Sequence, residues 1–304
     1  MEKYTTGAIG YQKHLYTQTL SGRETDEFER WIDKNYESPA KDSIDRVVTD
    51  KRLTKDDWDI LIRFLALQDV RTPARLLEHL DRGRNTHEDT LREVIENLKV
   101  EMESNNTRLL EDASVNSKDY DKHFPLKVTT ELNPGSEMGT TKVESYIGRS
   151  TWIHSMKALL INTEQILHKH KWSIIKPAIG YSWFTSDNPV IKLNYTNDNE
   201  YDFGGSWGRN KGNIIFPIGP QHAMFVQIGD RPIPKGTRLT VPQTIQLRKF
   251  IAEHAHRKIF SDQFDDEVPS IRPRHISSEK VKFERSQLEN WHRQNNELES
   301  EFFR

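Results

Sequence analysis

Apolar side chains in the first 170 residues recur with the period of an α-helix. One such group follows residue 54, with members three or four residues apart on one helix face: Trp58, Leu61, Ile62 and Leu65. Thr54 and Asp57 have the spacing of a helix-capping box in which Asp replaces Glu. We expect this helix to end near Arg71 and a second one to begin at Pro73, because proline suits the first turn of a helix.

Further helical patterns lie on both sides of this segment. They cover residues 24–48, 86–112, 140–170, 243–260 and 281–303. Pro39 is expected to divide the first of them, because the residue before a proline avoids helical angles. Residues 113–139 are polar and contain Asn133-Pro134-Gly135, so we interpret them as a loop or a short lid.

The period changes to that of β-strands after residue 171. Short apolar runs occupy 172–175, 180–184, 190–193, 213–216 and 223–228, and the last two flank a turn at 217–220 that is typical of a hairpin. Helices on both sides of one small antiparallel sheet, at about residues 172–228, indicate an α+β fold. We expect a single domain over residues 1–304, with a helical subdomain at 24–170 and a sheet-plus-helix subdomain at 171–304.

The amino-acid composition limits the kinds of functional site that the protein can contain. Hydrophobic residues make up 34% of the 304 residues, charged residues make up 30%, and there is no cysteine. Disulfides, thiolate metal sites and cysteine nucleophiles are therefore excluded. No apolar run suits a membrane span or a secretory signal, so we expect a cytoplasmic protein without a membrane partner.

Charge is uneven along the chain. Residues 231–282 carry 11 Lys and Arg against 6 Asp and Glu. This excess could attract a polyanion such as a nucleic acid, but it is too small to diagnose one, and a solvated surface is the favoured interpretation.

A cluster of polar residues separates two predicted strands at 185–188. Asp187 is a candidate general base or metal ligand, Asn188 a candidate polarising group, and Ser186 a candidate ligand-binding hydroxyl. The alternative is structural, because Ser, Asp and Asn before a proline are common turn formers.

Two arginines bracket the predicted helix junction. Arg71 and Arg75 lie four residues apart and could bind one anionic group with their planar guanidinium groups. Alternatively, Arg71 caps the carbonyl end of the preceding helix.

Histidines and glycines give weaker signals. His222, beside the hairpin turn, is the best candidate for a reactive histidine. His254 and His256 are two residues apart on a predicted helix, so they face different directions and no dedicated metal site is expected. Residues 204–212 are rich in glycine but lack the order of a phosphate-binding loop, and we interpret them as a mobile loop.

Several of these segments occur in an order that resembles the bacterial family called domain of unknown function 4238. They are residues 29–47, 64–68 with 71–73, 184–190, 216–220 and 255–260. The family usually begins with His-x-Val-Pro-x-x-Tyr-Leu-x-x-Phe. Tyr16 and Leu20 match that pattern, whereas its leading histidine and its proline are absent here. The resemblance implies a bacterial or phage-related cytoplasmic protein, with links to defence in some relatives, and no settled activity.

Two functions remain open from the sequence. The first is binding, with or without hydrolysis, of an anionic ligand, either a nucleic acid or a nucleotide. Arg71, Arg75 and Ser186 would hold that ligand, and Asp187, Asn188 and His222 would carry the chemistry. The second is a non-catalytic adaptor that binds a protein partner or forms a homo-oligomer through its long charged helices. The sequence does not identify a cofactor.

Overall fold

A computed structural model describes residues 18–20, 23–103, 126–132, 139–145, 148–271 and 277–302. The chain divides into two compact units. Unit 1 contains residues 1–13, 29–75 and 158–288, and unit 2 contains residues 14–28, 76–157 and 289–304. The α+β class is confirmed. The expected boundary near residue 170 stays a prediction.

The helical elements run as follows. They are α1 (Glu27–Ile32), a π-helical turn (Asp33–Glu37), α2 (Ser38–Val48), α3 (Lys55–Val70), α4 (Pro73–Glu103), α5 (Arg149–Leu167), α6 (Val241–His254), α7 (Val268–Ile271) and α8 (Ser278–Phe302). Thr54 and Asp57 form the predicted capping box. Pro39 marks the start of α2, but the break that we expected there is a π-helical turn.

The strands fall into four groups. They are β1 (Gln18–Leu20) with β2 (Arg23–Thr25), β3 (Leu126–Leu132) with β4 (Gly139–Ser145), β6 (Thr185–Ser186) with β12 (Ile259–Phe260), and a six-stranded sheet. The sheet contains β5 (Ser173–Lys176), β7 (Ile191–Asn197), β8 (Glu200–Asp202), β9 (Asn213–Gly219), β10 (His222–Gln227) and β11 (Thr237–Arg238). Its order is β11-β5-β10-β9-β7-β8, and the predicted β9–β10 hairpin is confirmed.

Two features differ from the sequence-based interpretation. The sheet is mixed, because β11 pairs in parallel with β5. Residues 126–132 and 139–145 form an antiparallel hairpin where we expected a loop and the first turns of a helix. The segment 139–145 alternates threonine and valine with charged residues, which favours a strand once a partner strand is available.

Successive side chains of a strand point to opposite faces of a sheet, and both faces of the six-stranded sheet of unit 1 carry apolar side chains. Ile191 and Ile215 are paired on one face and are buried with Phe250 and Ile251 of α6. Phe216 points to the other face, where its ring lies 6.1 Å from that of Phe64 of α3. Helices therefore cover both faces, and a polar side chain on an inner strand needs a buried partner.

Unit 2 has its own core. Leu76, Trp152, Ile153 and Met156 are almost fully buried there. The ring of His79 lies 5.1 Å from that of Trp152, and the Arg149 N–H donates to Oδ1 of Asn295.

Candidate functional site

Three of the six residues singled out by the sequence lie together in unit 1, at the end of β6 and in the turn that leads to β7. Ser186 is a local turn former, since its Oγ accepts a hydrogen bond from the Asn188 N–H at 3.2 Å. Asp187 acts over a longer range. Its carboxylate accepts the backbone N–H groups of Arg257 and Lys258 at 2.9–3.0 Å. Asp187 therefore ties this turn to the segment that enters β12, and its catalytic role stays a prediction.

Asn188 is bound to the end of α6 through His254. The Asn188 amide nitrogen lies 3.3 Å from both the carbonyl oxygen and Nε2 of His254, and His254 Nδ1 lies 3.0 Å from the Asn188 carbonyl oxygen. Nδ1–H therefore donates to the carbonyl, and Nε2 accepts from the amide. Burial lowers the pKa of His254, and the hydrogen bond to Asn188 offsets part of that shift. The lowered pKa favours the neutral imidazole at pH 7.

Arg75 meets a carboxylate that the sequence analysis did not single out. Asp69, in the last turn of α3, is only 4% exposed. Its Oδ2 lies 2.8 Å from Nη2 of Arg75, and its Oδ1 lies 3.3 Å from Nζ of Lys192 on β7. One buried carboxylate thus holds two cationic side chains that come from different elements.

The junction between α3 and α4 turns Asp69 and Arg75 toward each other. Thr72 Oγ1 accepts the Arg75 N–H at 3.3 Å, as an N-cap residue does, and Pro73 occupies the first helical position. Arg71 pairs instead with Glu37 of the π-helical turn.

These two sets of contacts are close enough to interact electrostatically. The charges of Lys192, Asp69 and Arg75 all act on the pKa of His254. We call Asp69, Arg75, Asn188, Lys192 and His254 the Asp69 cluster. All five residues lie in unit 1, and two of them, Arg75 and Asn188, were predicted from the sequence.

Two aromatic side chains border the Asp69 cluster: Phe203, which directly precedes the glycine-rich segment, and Trp207 within it. The Phe203 ring lies 5.2 Å from the His254 ring, and Nζ of Lys192 lies 4.4 Å from the centre of the Trp207 ring. The Gly205 N–H donates to the Lys192 carbonyl at 3.3 Å. A Cβ at position 205 would lie 2.8 Å from the Lys192 backbone, so this close approach requires glycine. The segment that we interpreted as a mobile loop is thus hydrogen-bonded to β7 at Gly205.

His222 lies in a different environment, at the start of β10. Its Nε2 lies 3.1 Å from Oδ1 of Asp50, whose Oδ2 lies 2.6 Å from Nζ of Lys176. The hydrogen bond from Lys176 and the weaker one from His222 hold the pKa of Asp50 below its ordinary value. The structure therefore does not place His222 among the contacts of Asp187 or Asn188, and its reactive role stays a prediction.

A cavity of about 400 Å³ lies elsewhere in unit 1, beside Arg248. Tyr181, Phe264 and Asp265 help to line it. Arg248 is buried and pairs with Asp265 and, at 3.5 Å, with Glu267. Because these carboxylates already balance the guanidinium, this cavity is a weaker anion site than the Asp69 cluster.

Sequence signals for the missed residues were present but faint. Lys192 is a lone charge inside the apolar run 190–193, and Asp69 interrupts the apolar stripe of α3. A buried charge needs a partner, so the two residues could have been paired on that ground. Nothing local connected them to His254.

Within the described ranges, no group of three or more His, Cys, Asp and Glu residues is arranged to hold a metal ion. No helix in the described part of the chain has the length and apolar character needed to cross a membrane.

A family model described as "Protein of unknown function (DUF4238)" matches residues 2–265. The chain belongs to the DUF4238 family. The match includes every residue of the Asp69 cluster, whereas α8 lies beyond it. No curated protein and no solved structure matches this DUF4238 chain.

Proposed function

We propose that this DUF4238 protein binds a phosphate-bearing ligand, specifically a nucleotide, at the Asp69 cluster. The observation that carries the proposal is the convergence of Arg75 and Lys192 on the two oxygens of Asp69. A guanidinium and an ammonium held side by side can both donate to one phosphate group. Arg75 supplies the planar donor and Lys192 the compact charge.

Asp69 has a positioning role in this proposal. Two neighbouring cations repel each other, and a buried carboxylate between them removes that repulsion while fixing both side chains. The side chain of Arg75 is 26% exposed and that of Lys192 is 13% exposed. Both side chains are therefore largely shielded from water. A charge–charge interaction is stronger in such a place than at a fully solvated surface.

His254 and Asn188 complete one side of the cluster. Because both ring nitrogens of His254 are bonded to Asn188, the histidine fixes the amide rather than presenting a free base. Aromatic side chains at the border favour a nucleotide over a bare phosphate, since Phe203 and Trp207 offer surfaces on which a base can stack.

Isothermal titration calorimetry with inorganic phosphate, AMP and ATP tests the proposal. We expect ATP to bind the wild-type protein and Lys192→Met to bind it about tenfold more weakly or worse, because a charged hydrogen bond is lost. Lys249→Met is the matched control. Lys249 also pairs with a carboxylate, Glu253, and also lies over an aromatic ring, that of Tyr201.

Two results would contradict the proposal. One is a wild-type protein that binds none of the three compounds at millimolar concentration. The other is an equal loss of ATP affinity in Lys192→Met and Lys249→Met. Hydrolysis stays a prediction, and release of inorganic phosphate from bound ATP measures it directly.

A second candidate function is a non-catalytic interaction module. The observation that favours it is the exposure of apolar side chains on the long helices: Ile95 and Val100 on α4, and Phe283 on α8, are 49%, 64% and 62% exposed. Static light scattering coupled to size-exclusion chromatography distinguishes this function. If the protein is an interaction module, we expect an oligomer that Phe283→Ser or Val100→Ser converts to a monomer.

A further inference from the structure

A second cationic surface lies at the opposite side of the six-stranded sheet from Lys192. Lys192 is on β7, whereas this surface is built on β5 and the edge strand β11. β7 lies three strand positions from β5 and four from β11. At about 4.8 Å per strand, the distance from β7 to β11 is about 19 Å. The surface is therefore distinct from the proposed nucleotide site.

Three chain segments meet at this edge. Arg238 of β11 stands opposite Lys176 of β5 in the parallel pairing, and its guanidinium donates to the Pro177 carbonyl at 2.6 Å. Nζ of Lys235 donates to the carbonyl of Lys51 at 2.8 Å, which brings the turn after α2 beside the edge strand. We call Lys51, Arg52, Lys176, Arg231, Lys235 and Arg238 the basic edge.

The charge of the basic edge is strongly one-sided. The three segments, residues 50–52, 176 and 230–238, contain these six cations and two carboxylates, Asp50 and Asp230. Asp50 is already bound to Lys176 and His222. Within the described residues, no carboxylate is in ion-pair distance of Lys51, Arg52, Lys235 or Arg238. The hydrogen bonds of Lys235 and Arg238 go to neutral carbonyl groups, which leave their charges uncompensated.

Exposure makes these charges available to a partner. Lys51, Arg52, Arg231, Lys235 and Arg238 are all exposed. Asp50 fixes the turn that presents Lys51 and Arg52. Its backbone lies in the left-handed region, with a φ of 58°. A residue other than glycine stays there when its surroundings hold it, and the two bonds of the Asp50 carboxylate provide that hold.

We infer that the basic edge binds the phosphate backbone of double-stranded nucleic acid without reading its sequence. Fixed, exposed Lys and Arg side chains from several segments are the usual means of neutralising backbone phosphates. The segments 49–52, 173–178 and 231–240 contain no aromatic residue, so the edge has no surface for stacking unpaired bases. A duplex, whose bases are already stacked, fits this chemistry better than a single strand.

Fluorescence anisotropy with a labelled DNA duplex of about 20 base pairs tests this inference, over roughly 50–200 mM salt. We expect log K to fall with log salt at a slope near −3.6 if about four phosphates are neutralised. The triple variant Lys51→Gln, Arg52→Gln, Lys235→Gln is expected to bind at least about tenfold more weakly, with a shallower slope.

The matched control changes three exposed lysines elsewhere, Lys34→Gln, Lys41→Gln and Lys280→Gln, and so removes the same net charge. Circular dichroism spectra and melting temperatures establish that both triple variants are folded. We expect the control to retain the duplex affinity of the wild-type protein. Because Lys192 lies outside the basic edge, Lys192→Met is also expected to retain the duplex affinity. The result of the nucleotide titrations therefore does not affect this test.

Three outcomes would overturn the inference. They are no duplex binding by the wild-type protein at the lowest salt, equal losses in the two triple variants, and tighter binding to a single strand of the same length. Sedimentation with phosphatidylcholine vesicles containing about 30% phosphatidylserine gives a further arm. Binding to these vesicles without binding to the duplex would assign the edge to an anionic membrane surface instead.

Discussion

The carboxylate of Asp69 holds the guanidinium of Arg75 across the junction of α3 and α4, with 2.8 Å between Oδ2 and Nη2. The two residues are six positions apart, and Pro73 between them starts a new helix. Lys192 joins them from β7 and bonds the other oxygen of the same carboxylate. Asp69 therefore links two helices and a strand within unit 1.

Asp69→Asn is expected to destabilise unit 1 by about 2 kcal/mol. Breaking a buried ion pair costs about 3–5 kcal/mol, and the partial exposure of both cations reduces that figure. The substitution leaves Arg75 and Lys192 adjacent without their shared carboxylate. Urea denaturation measures the change, and Glu78→Gln, at an exposed ion pair with Arg82, is the control.

A double-mutant cycle separates this effect from simple loss of packing. Adding Lys192→Met to Asp69→Asn is expected to cost less than the sum of the two single changes, because the ion pair between Asp69 and Lys192 can be lost only once. Strict additivity would show that Lys192 and Asp69 do not interact energetically.

Stability is expected to fall as the pH drops below about 6.5, and His254 contributes to that fall. The pKa of His254 is lowered in the folded protein, chiefly by burial, so the unfolded chain binds the proton more tightly. Its contribution to stability is complete above the unfolded pKa and is lost as the pH falls through the folded one. Urea midpoints measured between about pH 7 and pH 5 test this.

His254→Gln is the variant for the pH measurement. It should lose less stability on acidification than the wild-type protein. Some dependence should remain, since burial also lowers the pKa of His79 in unit 2. An unchanged pH dependence in His254→Gln would show that other groups are responsible.

Gly205→Ala is expected to destabilise the glycine-rich segment and weaken ATP binding at the Asp69 cluster. A Cβ there would lie 2.8 Å from the Lys192 backbone, and a strand backbone cannot move aside cheaply. A loss of about 1–3 kcal/mol is typical of such overpacking. Gly208→Ala is the control in the same segment, because its Cβ would first meet Ile166 at 4.0 Å.

Asp187→Ala is expected to lower stability by about 2 kcal/mol, because backbone N–H groups of residues 257 and 258 lose a charged acceptor. Chemical denaturation measures this loss, and Asp198→Ala, at an exposed turn, is the control. If Asp187→Ala is as stable as the wild-type protein, the carboxylate does not anchor β12.

Local chemistry explains what could be predicted from the sequence. The capping box of Thr54 and Asp57, the end of α3 before Pro73 and the β9–β10 hairpin depend on residues close together in the chain. Their signals are therefore complete within short windows. Segment 139–145 shows the limit, since it became a strand only through pairing with residues 126–132.

The candidate site could be predicted only in part. Arg75 and Asn188 stood out because arginine at a helix junction and asparagine in a turn have recognisable local roles. Asp69 and Lys192 are 123 positions apart, and Asn188 and His254 are 66 apart. No spacing rule connects residues at such distances.

The sequence by itself determined the α+β class, most helix positions and a chemistry without thiolates, because these follow from periodicity, caps and composition. Tertiary structure alone decided which charges meet. The order of the strands placed Lys192 and the basic edge at different parts of the sheet. The turn at Pro73 and the pairing of β6 with β12 brought Asp69, Arg75, Asn188 and His254 together. Burial then favoured hydrogen bonds and ion pairs among these polar groups, since little water reaches them.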